Sequence, residues 1–111
     1  MGTLYYGSGT DPIEIPERLL AHIKVVITAK LRRNERFMVS WTHPDGTSPG
    51  RTSIWMDASI PLRFVFDKAE GEALDPQLLR ELADDASSSR GLVLERDEMK
   101  HSNLVGINTA A

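Results

Sequence analysis

Between Arg36 and Asp67, large apolar side chains recur at every second position, and nothing else in the sequence constrains the fold as strongly. Phe37, Val39 and Trp41 alternate with Arg36, Met38 and Ser40. Ile54 and Met56 alternate with Ser53 and Trp55, and Leu62, Phe64 and Phe66 alternate with Arg63 and Val65. A period of two is that of a half-buried strand. The runs therefore read as strands over residues 36–41, 52–57 and 62–67. The link over residues 42–50 is long and polar, with Pro44, Asp45-Gly46 and Pro49, while residues 58–61 make a tight connection. Short connections favour antiparallel neighbours, so a central three-strand meander is expected.

The flanking segments read as material packed onto that meander. Residues 3–6 form a short strand candidate, followed by the turn cluster 7–12 and a returning arm at 13–15. Pro16 suits a first helical position and Glu17 suits the positive end of the helix dipole, although Ile15 offers no capping acceptor. Helix one is expected over residues 16–33, with Leu19, Leu20, Ile23, Val26, Ile27 and Leu31 on one stripe, and Asn34 as terminator. Lys30 falls inside that stripe. It either snorkels past the end of the core or is aimed at an anion or a buried carboxylate. After a polar linker over 68–74, Asp75-Pro76 is a strong helix start, and Leu78, Leu79, Leu82, Ala83 and Ala86 define helix two. Residues 87–91 stop that helix and 92–95 form a last strand. The fold class is thus α+β, with a mainly antiparallel sheet, two helices and the order β-β-α-β-β-β-α-β. Residues 1–96 read as one domain and residues 97–111 as a flexible tail.

Composition narrows the functional classes. The chain has 111 residues, a formal net charge of −3 and no cysteine. Disulfides, thiolate metal sites and thiol catalysis are thereby excluded, and whole-molecule attraction to nucleic acid or anionic membrane is not expected. No apolar run approaches the length of a membrane span, no secretory signal opens the chain, and Tyr6 stands where myristoylation wants Ser or Thr. A cytoplasmic location is expected. His22, His43 and His101 lie in unrelated segments and read as surface histidines, without metal-ligand spacing. Asp84 and Asp85 are adjacent on a helix and point apart, so they make a poor metal pair. No P-loop and no nucleophile elbow occurs, and the Gly7-Ser8-Gly9 loop reads as a turn rather than a phosphate cradle. No cofactor, metal or catalytic residue is assigned.

One constellation carries a functional question. If the alternating apolar residues face the core, the opposite sheet face collects Arg36, Met38, Ser40, Arg51, Ser53, Trp55, Arg63 and Val65. Arginines, hydroxyls and a tryptophan on neighbouring strands can bind an anion or stack a base. Alternatively, helix two or a second subunit covers this face, with its arginines paired to Glu35, Asp57 or Asp67. Trp55 sharpens the choice, because a solvated sheet face seldom displays a tryptophan without a partner. Lys30, Arg32 and Arg33 at the end of helix one extend the set of anion or nucleic-acid candidates.

The segments Leu4-Tyr5-Tyr6-Gly7-Ser8, Lys30-Leu31-Arg32-Arg33, Phe37-Met38-Val39-Ser40-Trp41, Gly50-Arg51-Thr52-Ser53-Ile54-Trp55 and Ser89-Arg90-Gly91-Leu92-Val93-Leu94 resemble a family of small actinobacterial proteins of unknown function. The resemblance covers about residues 2–96, and members of that family often carry the label "ATP-dependent DNA ligase". A covalent nucleotidyltransferase needs a lysine nucleophile in K-x-D-G, together with carboxylates for metal ions. Here Asp45-Gly46 follows His43-Pro44, so that lysine is absent, and the chain is several-fold too short for such a core. The expectation is a non-catalytic interaction module, self-associating as a dimer. A nucleic-acid accessory module, with DNA as partner, is the alternative.

Overall fold

A computed structural model describes residues 1–9, 12–43 and 49–94. The elements follow the expected order: β1 (Gly2–Tyr6), β2 (Ile13–Ile15), α1 (Glu17–Arg32), β3 (Phe37–Thr42), β4 (Arg51–Met56), β5 (Leu62–Val65), α2 (Pro76–Ala86) and β6 (Leu92–Leu94). The class is α+β. Thr10, Asp11, residues 44–48 with Asp45-Gly46, Glu95, His101 and the tail from 97 lie outside the described residues.

The strands do not form one meander. They divide into two three-stranded sheets, ordered β2-β1-β5 and β4-β3-β6. The hairpin β3–β4 is antiparallel, with Met38 opposite Trp55 and Ser40 opposite Ser53, and β6 joins β3 in parallel. β5 leaves that hairpin and pairs with β1, Tyr6 opposite Leu62 and Leu4 opposite Phe64. The physical reason lies at the outer edge of β4. There the Tyr6 hydroxyl donates to the Trp55 carbonyl at 2.6 Å, occupying an acceptor that a neighbouring strand would need. At the end of the β4–β5 link, Gly7 N–H donates to the Pro61 carbonyl at 2.9 Å, committing β5 to β1. Proximity in sequence favours pairing but does not compel it.

Helix termini follow local chemistry. Asp75 caps α2 by accepting from Gln77 N–H at 3.0 Å, with Pro76 in the first turn. Pro16 occupies the N-cap of α1 rather than its first helical position, and no side chain caps it. At the other end Asn34 takes φ 60°. Glu35 N–H then reaches the Lys30 carbonyl at 3.0 Å and Asn34 N–H the Leu31 carbonyl at 2.9 Å. This is a Schellman closure with asparagine in the left-handed position. Gly91 also has positive φ, 78°, and a Cβ there would stand 2.5 Å from the Met38 carbonyl oxygen. The turn into β6 therefore requires glycine.

One core joins both sheets and both helices, including Leu4, Leu20, Ile23, Ile27, Phe37, Val39, Trp41, Met56 and Leu92. Helix one lies on β1 and α2, while α2 lies on β3 and β6. The helices run side by side in the same direction, since His22 meets Asp75 and Lys30 meets Ser87.

His22 is fully buried, contrary to the expectation of a surface histidine. Asp75 N–H can only donate, so the Nε2 that it meets at 2.9 Å is the acceptor. Nδ1 therefore carries the ring proton and donates to the Arg18 carbonyl at 2.7 Å. The expected polar linker is a strap tied at both ends. Glu17 accepts from the N–H groups of Asp67 at 3.1 Å and Lys68 at 3.0 Å. At the far end His22 holds Asp75, which Arg18 also approaches at 3.5 Å.

Candidate interaction face

The period-two pattern of the hairpin separates its two sides. Phe37, Val39, Trp41 and Met56 point inward and are buried. Thr42 with Arg51, Ser40 with Ser53 and Met38 with Trp55 form cross-strand pairs on the other side, where Ser40 also neighbours Val93 of β6. Ser40 and Ser53 share a hydrogen bond of 2.8 Å between hydroxyls. Trp55 is 46% exposed, although Trp41 on the adjacent strand is only 8% exposed. Helix two does not cover it.

This face ends at an edge. Among the described strands, β4 pairs only with β3. Because main-chain groups of a strand alternate sides, the outward-aimed Trp55 carbonyl places those of Ser53 and Arg51 on the same outer edge. Tyr6 occupies the first, and no described strand takes the others.

The predicted cations are distributed rather than gathered. Arg36 donates through Nε to Asp57 at 3.0 Å. Asp57 is held below the ordinary aspartate range, first by the Ser59 N–H that it accepts and then by Arg36. Arg63 belongs to the other sheet, where its guanidinium carbon lies 4.4 Å from the Tyr5 ring centroid. Val65 goes with it, so neither shares a sheet with Trp55. Lys30 is 7% exposed. Its Nζ donates to Ser87 Oγ at 2.8 Å, lies 3.2 Å from Glu35 Oε1 and sits 5.9 Å from the Phe37 ring centroid. Its partner is thus a carboxylate, though a half-exposed one, and the lysine ties the C-terminal ends of the helices together. Arg33 pairs with Glu35 at 3.2 Å, and Arg33, then Lys30, hold the Glu35 carboxyl below its ordinary range. Arg51 and Arg32 are exposed without a described carboxylate partner. The sheet face at Trp55 is therefore mixed apolar and hydroxyl, with Arg51 unpaired and Arg36 paired to Asp57 at its end.

A family model described as a domain of unknown function, DUF7882, matches residues 1–97. The chain belongs to this family. No curated protein and no solved structure matches it. The family match spans every strand and helix described above, so the Trp55 face and the strap both lie within the DUF7882 domain. Among the described residues, no group of three or more His, Asp or Glu is arranged to hold a metal ion, and no helix is long and apolar enough to cross a membrane.

The structural roles of His22 and Glu17 were not read from the sequence. His22 has a weak signal, four residues before buried Val26 and next to the apolar stripe. Glu17 has none, because its partners are main-chain N–H groups about fifty residues away in sequence.

Proposed function

We propose that this DUF7882 domain is a cytoplasmic, non-catalytic interaction module that self-associates through the outer face of β4, with Trp55 as its anchor. The observation that carries the reading is the exposure of Trp55, 46%, on an edge strand whose opposite side packs on the core through buried Met56 and partly buried Ile54. Tryptophan is enriched at the buried centres of protein interfaces, where its large apolar area outweighs a low ordering cost. Met38 beside it and the Ser40–Ser53 pair supply an apolar centre with a hydroxyl border. Edge strands that stay unpaired are natural templates for a second chain, and Arg51 limits how far such pairing extends. Sedimentation equilibrium tests the reading. The wild-type chain is expected to be dimeric and Trp55→Asp monomeric with an unchanged circular-dichroism spectrum, and a Trp55→Asp dimer would refute it.

A nucleic-acid accessory role is the second reading, in line with the ligase label carried by the actinobacterial proteins that the sequence resembles. What favours it is the stack of exposed Arg63 on half-buried Tyr5, an arginine–aromatic pair of the kind that bases stack upon. What weakens it is that Arg33, Arg36 and Lys30 already have carboxylate partners. It requires salt-sensitive retention on DNA that Arg63→Glu removes.

A further inference from the structure

The helix side of the molecule carries a second surface. Between the strap over residues 67–75 and the outer side of α1 is an open groove of about 320 Å³. Ala21, Val25, Phe66 and Leu74 supply its apolar lining. Val25 is 39% exposed and Leu74 48% exposed, so two large aliphatic side chains meet solvent at one site. The groove continues along α1 past Thr28 and Ala29 to Arg32. Lys24, Thr28 and Arg32 recur every fourth residue and therefore form one line beside this apolar strip.

Among the described residues the two cations on that line have no carboxylate within 4 Å, a state they share with Arg51, Arg63, Arg80 and Arg90 elsewhere on the protein. Arg18, Lys30, Arg33 and Arg36 each have a carboxylate within 4 Å. Lys24, Arg32 and Lys68 have none among the described residues; Lys24 rests its Nζ 5.7 Å from the Phe66 ring centroid. A chain with net charge −3 thus leaves unpaired positive charge along one helix, next to exposed aliphatic surface. Glu70 and Glu72 on the strap add negative charge at the apolar end of the groove. That disfavours a phosphate backbone as occupant and leaves the Lys24–Arg32 line as the positive section.

We propose that this groove docks an acidic amphipathic helix from another protein. The partner places an aliphatic anchor between Val25 and Leu74 and aligns Asp or Glu side chains with Lys24 and Arg32. From Ala21 to Arg32 the α1 surface spans about 17 Å, the length of about three helical turns. Docking an apolar helix stripe in a groove between packed elements is a common recognition mode, and charges at its border set orientation and choice of partner. The groove lies on the helix layer and Trp55 on the outer sheet face, so self-association and helix docking are separable.

The test uses the full chain, ¹⁵N-labelled, and a fluorescent synthetic peptide of about 14 residues, with leucines at helical spacing and glutamates beside them. Comparison probes are the same peptide with lysines for the glutamates, and single-stranded oligothymidine. In low salt the acidic peptide is expected to bind saturably, moving the amide signals of Val25, Ala29 and Leu74. The lysine peptide and oligothymidine should not bind. Lys24→Glu with Arg32→Glu, both exposed positions, should weaken the acidic peptide roughly tenfold, while Trp55→Asp leaves it unchanged. Equal binding of both peptides, or no signal change in the wild-type chain, would overturn the proposal without relying on any variant. Oligothymidine binding lost in the double variant would make the groove a nucleic-acid site instead. Dissociation of the self-associated chain by the double variant would make the occupant a second copy. A spin label on Ser102→Cys, the only cysteine in such a chain, that broadens Val25 and Ala29 would make it this chain's own tail.

Discussion

Trp41 and Trp55 sit on adjacent strands of one hairpin and do opposite things. Trp41 points inward with Phe37 and Val39 and is 8% exposed; Trp55 points outward opposite Met38 and is 46% exposed. The same side chain is folding energy at one position and unspent apolar surface at the other. A hairpin buried on one side needs large residues only on that side. A second tryptophan on the solvent side therefore calls for an explanation other than folding, and this is the observation on which the proposed self-association rests.

The contrast predicts graded effects. Trp41→Ala should cost about 3–5 kcal/mol, from lost apolar burial and the cavity left behind. Urea unfolding measures this, and a cost below about 1 kcal/mol would show that Trp41 is not the core anchor described here. His22→Ala should follow, at about 1–3 kcal/mol, because the part-buried Asp75 N–H that anchors the strap is left without its acceptor. Amide exchange should accelerate at Asp75 in that variant, and unchanged protection would contradict the pinned strap. Trp55→Ala should change monomer stability by no more than about 0.5 kcal/mol at low protein concentration, yet lose self-association. A large loss of monomer stability would erase the distinction between the tryptophans.

The smallest effect is electrostatic. Hydrogen bonds from Arg33 and then Lys30 hold Glu35 below its ordinary value of 4.5. The folded state therefore binds a proton there less readily than the unfolded chain. The resulting stabilisation is complete above the unfolded value and is lost as pH falls through the lower folded one. Glu35→Gln should accordingly lower stability slightly at neutral pH and leave it unchanged at strongly acid pH, flattening part of the acid limb of a stability–pH curve below about pH 4.5. An equally steep acid limb in the variant would assign the effect to other carboxylates.

Local chemistry in the sequence reached far into the fold. Asp75-Pro76 marked the start of α2 and Asn34 the end of α1. The alternation through Phe37, Val39 and Trp41 separated core from surface, and it also put Trp55 on the outward side, where it is 46% exposed. The misplaced Lys30 left two readings open, a snorkelling lysine or one aimed at an anion or a buried carboxylate; it contacts a carboxylate, Glu35, that is half-exposed. What stayed hidden was non-local. The pattern of Leu62, Phe64 and Phe66 gives a strand its inward side but not its neighbour, and the choice of β1 over β4 rests on a tyrosine hydroxyl and a glycine N–H far away in sequence. Splitting the meander then removed Arg63 from the Trp55 face, so the predicted arginine cluster was drawn on a sheet that does not form. His22 was missed for a related reason: its partner is the backbone N–H of Asp75, a residue about fifty positions away that the sequence marks only as a helix cap.

The two tryptophans also allow the most direct test. Each indole N–H gives its own signal in a ¹⁵N-correlation spectrum, so Trp41 serves as an internal control in the unaltered protein. Over a dilution series from about 1 mM to about 10 μM, mass action shifts a self-association equilibrium toward monomer. The Trp55 indole signal should move with concentration while the Trp41 signal stays fixed. If neither signal moves and the protein sediments as a monomer throughout, Trp55 is not the anchor of a self-association surface.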